Sequence, residues 1–277
     1  MLRGDALATL YFFHPLQKLA PSSKVRIPIL MYHSISDSDE SNIHPYYRTS
    51  TRPAVFAQHM KFLHDNKYLV VGPSDAVALL GASDLGGPQP VVITFDDGFE
   101  NFYTQAFPIL NQYGFNATMY LPTAHIGQAQ QKFNGTRCLS WGQVRELRAA
   151  GIEFGSHTVT HPQLKFLDDA AVEYEVRTSK EVIQQKLGCA VTSFAYPYAF
   201  PETDRAFTHR LASTLEGAGY ENGVSTIIGT ADRKGDRYFM KRLPVNSCDD
   251  IPLFRAKLEG GYAWVHTAQY ASKLMKR

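Results

Sequence analysis

Val91-Val92-Ile93-Thr94-Phe95-Asp96-Asp97-Gly98 is an unbroken run of β-branched and aromatic residues that ends on two adjacent carboxylates and a glycine. The run reads as a buried strand. Two carboxylates at the end of a buried strand are costly unless they are paired, protonated or bound to a metal. Adjacent strand residues point in opposite directions, so one carboxylate can reach a metal while the other faces a reacting water. Gly98 lets the chain turn sharply just beyond them. The plain alternative is a solvated Asp-Asp-Gly turn, which the apolar run before it disfavours.

Outward from this segment, short β-branched or aromatic runs alternate with amphipathic stretches, the pattern of parallel strands joined by helices. Expected strands are Arg26–Ser34, Tyr68–Gly72, Val91–Asp97, Ala117–Pro122, Ile152–His157, Thr192–Tyr198, Gly223–Ile228 and Tyr238–Val245. Phe56, Met60 and Leu63 mark one helix face, and Val172, Val176, Ile183 and Leu187 another, with Glu, Lys and Gln around the rest. Gly151, Gly188 and Gly219 fall where helices should end. Ser36–Arg52 has no periodicity and reads as a loop over one mouth of the fold, and Gly81–Pro90 as a turn-rich connection. Seven or eight such strands in 277 residues point to an α/β fold built as a single (β/α) barrel, in which catalytic groups sit at the C-terminal strand ends.

A net charge of +2 without a basic run gives no footing for nucleic acid. Cys138, Cys189 and Cys248 lie far apart and read as buried thiols rather than a disulfide framework or thiolate zinc site. Near the start, Ala6–Phe13 is apolar but too short for a secretory core or a membrane span, and His14-Pro15 ends it. The expectation is an N-terminal arm over residues 1–25 packing on a domain of residues 26–277. With it goes a cytoplasmic or membrane-peripheral location without a transmembrane segment, in peripheral association with a glycan-synthesis assembly.

Two more strand ends carry chemistry. In Gly155-Ser156-His157-Thr158-Val159-Thr160-His161-Pro162, two histidines stand four residues apart after an expected strand. Two imidazoles and one carboxylate make three protein ligands and leave a position open for water, the pattern of a catalytic zinc site. A lone HxxxH is weak evidence, and the Asp pair at another strand end strengthens it. Phe194-Ala195-Tyr196-Pro197-Tyr198 is either an aromatic strand terminus or a groove wall whose backbone N–H faces a developing oxyanion.

These three segments, in this order, resemble those of the polysaccharide deacetylases, the carbohydrate esterase group with the NodB homology domain. The resemblance covers roughly residues 27–245 and implies a distorted (β/α)7-type barrel. By motif position, Asp96 resembles the catalytic base, and Asp97, His157 and His161 the metal ligands. Tyr198, following Tyr196 and Pro197, resembles the oxyanion and substrate-binding segment. Two departures stand out: Ala195 replaces the arginine of the third motif, and no late Leu-x-His segment precedes Val245. Both resemble the subgroup that deacetylates poly-β-1,6-linked N-acetylglucosamine, where the motif order is circularly permuted and the catalytic histidine comes early. That makes His33, after Ile29-Leu30-Met31-Tyr32, the expected general acid. His266 is the competitor, and a structural histidine the plain alternative. Arg242 is a candidate to orient Asp96 in place of the missing arginine, against the reading of an ordinary surface arginine.

The resemblance implies hydrolysis of an acetyl group from N-acetylated, or O-acetylated, sugars of a polysaccharide. The cofactor would be a divalent metal, zinc first, with cobalt, nickel and manganese also suited to the His/His/Asp set. Trp141, Tyr196 and Tyr198 are candidate sugar-stacking rings, although Trp141 also fits the start of a helix capped by Ser140. The alternatives are a cyclic imide or ureide amidohydrolase on the same fold, and a non-catalytic barrel that binds glycan.

Overall fold

The computed structural model describes residues 3–19, 25–129 and 131–275. Its main sheet holds eight strands, of which seven close into a ring. In chain order these are β1 Ile29–Tyr32, β2 Pro90–Phe95, β3 Thr118–Leu121, β4 Glu153–Ser156, β5 Ser193–Ala195, β6 Asn222–Ile228 and β7 Met240–Pro244. Each pairs in parallel with the next, and β1 closes the ring between β7 and β2. The eighth expected strand survives as Leu69–Val70, which pairs only with the first two residues of β2 and stays outside the ring.

Alternation along the strands sorts the core into two parts. Ile29, Val92, Tyr120, Ala195, Val224 and Met240 form one buried cluster with Ala76 and Leu80 of the helix Pro73–Leu80, and they fill the barrel. Leu30, Tyr32, Val91, Ile93 and Phe95 face the other way, onto the helix faces foreseen at Phe56, Met60 and Leu63 and at Val172, Val176 and Ile183. Full burial of a side chain such as Ile183 stabilises by about 1.5–3 kcal/mol. Gly155 in β4 is there for a close approach: a Cβ on it would meet the Tyr120 ring at 2.4 Å.

Local signals set the helix ends. Ser140 and Gln143 form a reciprocal capping box at the start of Trp141–Ala149. Asp168 accepts from the Ala171 N–H at the start of Asp169–Leu187, and Gly188, left-handed at φ 66°, ends that helix. Gly151 and Gly219 are left-handed too. The 36–52 segment is more ordered than its lack of periodicity suggested. Ser50–Thr51 pairs with Ser34–Ile35, and the Glu40 carboxylate accepts from the N–H groups of Thr49 and Ser50.

The expected arm, as far as it is described, is helical. Gly4–Ala8, a π turn over Thr9–Phe13 and His14–Leu19 run on end to end; of residues 1–25, 1–2 and 20–24 lie outside the described residues. The arm is tied down by charge. Arg3 bonds Asp249 at 2.8 Å, and Asp249, buried, also pairs with buried Lys257 at 2.8 Å. Trp264 stacks on Phe13 and donates its indole N–H to Thr9. Among the described residues, no helix is long and apolar enough to cross a membrane, and the three cysteines are free thiols.

Candidate active site

The residues singled out by chemistry collect at the C-terminal mouth of the barrel. His33 follows β1, Asp96 and Asp97 follow β2, His157 follows β4, and Tyr196 and Tyr198 follow β5. All of them line one cavity of about 420 Å³, walled on its outer side by Ser38, Glu40 and Thr49 of the 36–52 segment.

The backbone here is held in unusual shapes. Asp97, Thr158, His161 and Tyr198 are left-handed, with φ of 72°, 69°, 58° and 58°. Each costs on the order of 1–2 kcal/mol for a residue with a side chain. The turn after Asp97 is completed by Gly98 at φ 64°. The segment after β4 is neither strand nor helix, so the two histidines do not share a helical face, as their spacing allowed. Left-handed turns at Thr158 and His161 bring them together. Glu175 holds that segment in place: its carboxylate accepts from the N–H groups of Val159 and Thr160, at 2.7 and 2.9 Å, and from the Thr160 hydroxyl. The helix pattern had assigned Glu175 to the solvent side, yet it is buried. Its spacing from Val172 and Ser179 was the available signal.

Asp97, His157 and His161 offer three ligand atoms within 4.8 Å of one another. The Asp97 Oδ1 lies 3.6 Å from His157 Nε2 and 3.4 Å from His161 Nε2. His157 donates its Nδ1–H to the Ala195 carbonyl at 2.8 Å, which turns its Nε2 toward the carboxylate. Burial, with His157 beside it, pushes the His161 imidazole down to about 3, so that ring is neutral. Burial pushes the Asp97 carboxyl up to about 6 against the pull of His157, with Asp96 adding to the rise. The neutral His161 ring and the Asp97 carboxylate are acceptors facing each other in a buried pocket, an arrangement that a cation between them relieves. The donor set therefore fits a divalent metal with a position left open.

Asp96 occupies the other side. Its carboxylate is gripped by Arg242 through two bonds of 2.7 Å, one to each oxygen. Burial opposes the charge, but the Arg242 guanidinium, followed by His157 and His33, outweighs it and holds the carboxyl well below the usual range. Arg242 is 1 % exposed, which overturns the surface-arginine reading. It rises inside the barrel from β7, donating also to the Ser225 carbonyl and the Thr94 hydroxyl. The charge absent at Ala195 is thus supplied from two strands away. His33 Nε2 stands 3.9 Å from Asp96 Oδ2, and burial lowers its pKa against the attraction of Asp96.

Other expected contributors fall elsewhere. His266 bonds Glu202 at 2.6 Å on the helix Trp264–Met275 and does not line the cavity. Trp141 is 3 % exposed at its capped helix start, so it offers no face to a sugar. The Tyr196 ring is also buried, edge-on to Phe200, and forms wall rather than platform; Pro197 is buried beside it. Tyr198 alone of the three candidate rings is open, at 48 % exposure, and its ring lies 4.7 Å from that of His161.

A family model described as polysaccharide deacetylase matches residues 85–222. Among curated proteins, the chain is 30 % identical over 234 residues to the Bacillus subtilis (strain 168) protein YxkH, whose name places it with the polysaccharide deacetylases; the match spans 84 % of this chain and 76 % of that one. It is 22 % identical over 236 residues to the poly-β-1,6-N-acetyl-D-glucosamine N-deacetylase of Staphylococcus aureus, over 78 % of each chain. Among solved structures, a Streptococcus pyogenes deacetylase, PplD, in complex with acetate superposes with a TM-score of 0.74. That match has 24 % identity and covers 85 % of this chain and 99 % of that one. IcaB from Ammonifex degensii gives a TM-score of 0.67 at 23 % identity, covering 85 % and 97 %.

Proposed function

The chain belongs to the polysaccharide deacetylase family, and from that premise we propose that it hydrolyses the N-acetyl groups of a glycan with the help of a divalent metal held by Asp97, His157 and His161. The observation that carries this reading is the junction of two unlike carboxylates. Asp97 faces the Nε2 atoms of two imidazoles, and its neighbour Asp96 is kept ionised by Arg242.

When bound, such a cation supplies Lewis acidity, polarising the acetyl carbonyl and making a coordinated water easier to deprotonate. Asp96 accepts the proton of the attacking water, and Arg242 fixes the angle at which its oxygens meet that water. The same ion pair makes Asp96 a poor keeper of the proton. His33, 3.9 Å away and neutral in its buried setting, takes the proton on and delivers it to the leaving nitrogen. The Tyr198 N–H, at a left-handed bend beside His161, serves the developing oxyanion. An N-acetyl substrate is favoured because a sugar nitrogen leaves badly without an acid, and His33 provides one. The names of the Staphylococcus aureus relatives support N-acetylglucosamine as the sugar.

The test is metal analysis of the purified protein together with acetate release from N-acetylglucosamine oligomers and from O-acetylated xylan. Stoichiometric divalent metal and chelator-sensitive acetate release from the oligomers are expected. A metal-loaded protein that releases acetate from neither substrate refutes the proposal.

A further inference from the structure

The loop Thr158–His161 has neither strand nor helix geometry, yet its backbone is clamped from two sides. On one side the Thr158 and Val159 carbonyls accept from the N–H groups of Thr123 and Ala124, at 3.1 and 2.8 Å. On the other, the Val159 and Thr160 N–H groups both donate to one oxygen of Glu175, and the Thr160 hydroxyl donates to the second. The His161 N–H closes the loop on itself by donating to the Thr158 hydroxyl at 3.0 Å. Ser179, one turn on from Glu175 in the same helix, ties the near end: it bonds the Ser156 hydroxyl at 2.6 Å, and Ser156 accepts from the Thr158 N–H at 3.3 Å.

The clamp matters because the two histidines are anchored unequally. The His157 ring is held through its second nitrogen, on the Ala195 carbonyl. The His161 Nδ1 is buried and has no hydrogen-bond partner among the described residues. Its ring is only flanked, by Phe133 at 5.0 Å and Tyr198 at 4.7 Å between centroids. A ligand imidazole is ordinarily oriented through its second nitrogen. For His161 the orientation must come through the backbone instead, and that backbone is left-handed at Thr158 and at His161 itself. Such residues persist only where their surroundings over-determine them. Glu175 is 6 % exposed, and its carboxylate is spent on this loop. Burying a carboxylate is costly unless its bonds are satisfied, and here the loop satisfies them.

We propose that Glu175 is a positioning residue of the metal centre: without being a ligand, it holds His161 where Asp97 and His157 can share a cation with it, and so sets the affinity for the metal. This rests on the reading of Asp97, His157 and His161 as metal ligands.

Glu175→Gln keeps the size of the side chain but leaves one acceptor oxygen for three donors. Metal-stripped native and variant proteins are titrated with zinc in competition with a chromophoric chelator. Zinc binding should weaken by about 10- to 100-fold in Glu175→Gln. It should weaken by about threefold in Thr160→Val, which removes one hydrogen bond at an exposed position and leaves the rest of the clamp. Ile183→Val, on the core face of the same helix, controls for general loosening: it should lower the urea midpoint and leave zinc affinity as it was. A folded Glu175→Gln protein that binds zinc within about twofold of the native protein overturns the proposal, and so does an Ile183→Val protein that weakens zinc as much as Glu175→Gln does. If Glu175→Gln does not fold, Thr160→Val decides, and native affinity in that variant overturns the proposal. Any of these results leaves the metal reading standing. A native protein that takes up no divalent cation removes both.

Discussion

Replacing Arg242 by methionine isolates the ion pair on which the charge of Asp96, the proposed base, depends. Both partners are buried, Arg242 at 1 % and Asp96 at 2 % exposure, so solvent screens the pair little. Arg242 makes two charge-assisted bonds of 2.7 Å to Asp96, and no lysine could match both. Removing one member of a buried pair costs about 3–5 kcal/mol, because the other charge is stranded. That is a large part of the roughly 5–15 kcal/mol that holds a domain together. The loss should depend on pH. In the native protein the Asp96 pKa lies below its unfolded value of 3.8, so the stability it contributes is complete above that pH and is lost only as pH falls further. In Arg242→Met, burial acts with no guanidinium to oppose it and raises the carboxyl, so the penalty grows as pH rises through the unfolded value. The stability gap between the two proteins therefore widens from about pH 4 to pH 7. Urea denaturation of Arg242→Met, Asp96→Asn and the double variant at both pH values measures it. The double variant should recover much of the loss, with a coupling of about 3 kcal/mol at pH 7. Additive effects, or a gap below about 1 kcal/mol that does not change with pH, refute the claim that Arg242 sustains the Asp96 charge.

The two carboxylates should separate cleanly: Asp96→Asn keeps the metal and loses turnover, whereas Asp97→Asn loses metal first, as elemental analysis beside acetate release will tell. If both cost metal equally, the base has been misassigned. His33→Ala should lower turnover far more than metal content, and more on N-acetyl than on O-acetyl substrates, since an alkoxide leaves more easily unaided than an amine; equal losses on both would contradict its role as acid. His59, buried and bonded to Tyr32 and the Asp249 carbonyl, is held down to about 4 by burial. Its unfolded value is 6.5, so the stability it contributes is full above pH 6.5 and is lost as pH falls toward 4, by about 3 kcal/mol. Denaturation curves at pH 7 and pH 4.5 for the native protein and His59→Gln should show the variant less sensitive to acid.

The strands and the meeting of Asp97, His157 and His161 were legible because both are written locally. A buried strand is an apolar run, and a ligand at its end is a carboxylate or imidazole that nothing else nearby explains. Leu69–Val70 was misjudged as a full strand because a short apolar run does not say whether it joins the ring. Glu175 and Tyr196 were misplaced for a common reason: residue type was allowed to stand for exposure. A glutamate on a polar helix was taken for solvent, and a tyrosine beside a site for a platform. Arg242 was only half visible. Its sequence neighbours show a charge in an apolar strand, but its partner is 146 residues away, and only the inward parity of Met240 and Val92 brings the two together.

The ring is sealed where the chain's first barrel strand meets its last, and the join is short: Leu30 opposite Leu243 and Met31 opposite Pro244, against four matched pairs between β1 and β2. His33 and Arg242 stand on the two sides of that seam, while Asp97, His157 and His161 belong to β2 and β4, away from it. This is the one junction of the ring whose strands are not consecutive in the chain, so no direct connection restrains them when their few pairs part. A molecule parted at the seam would keep Asp97, His157 and His161 in register and lose the alignment of His33 with Asp96. On the proposed reading, warming should therefore silence this enzyme before a metal held by those three side chains is released, and cooling should restore activity without any metal being added back.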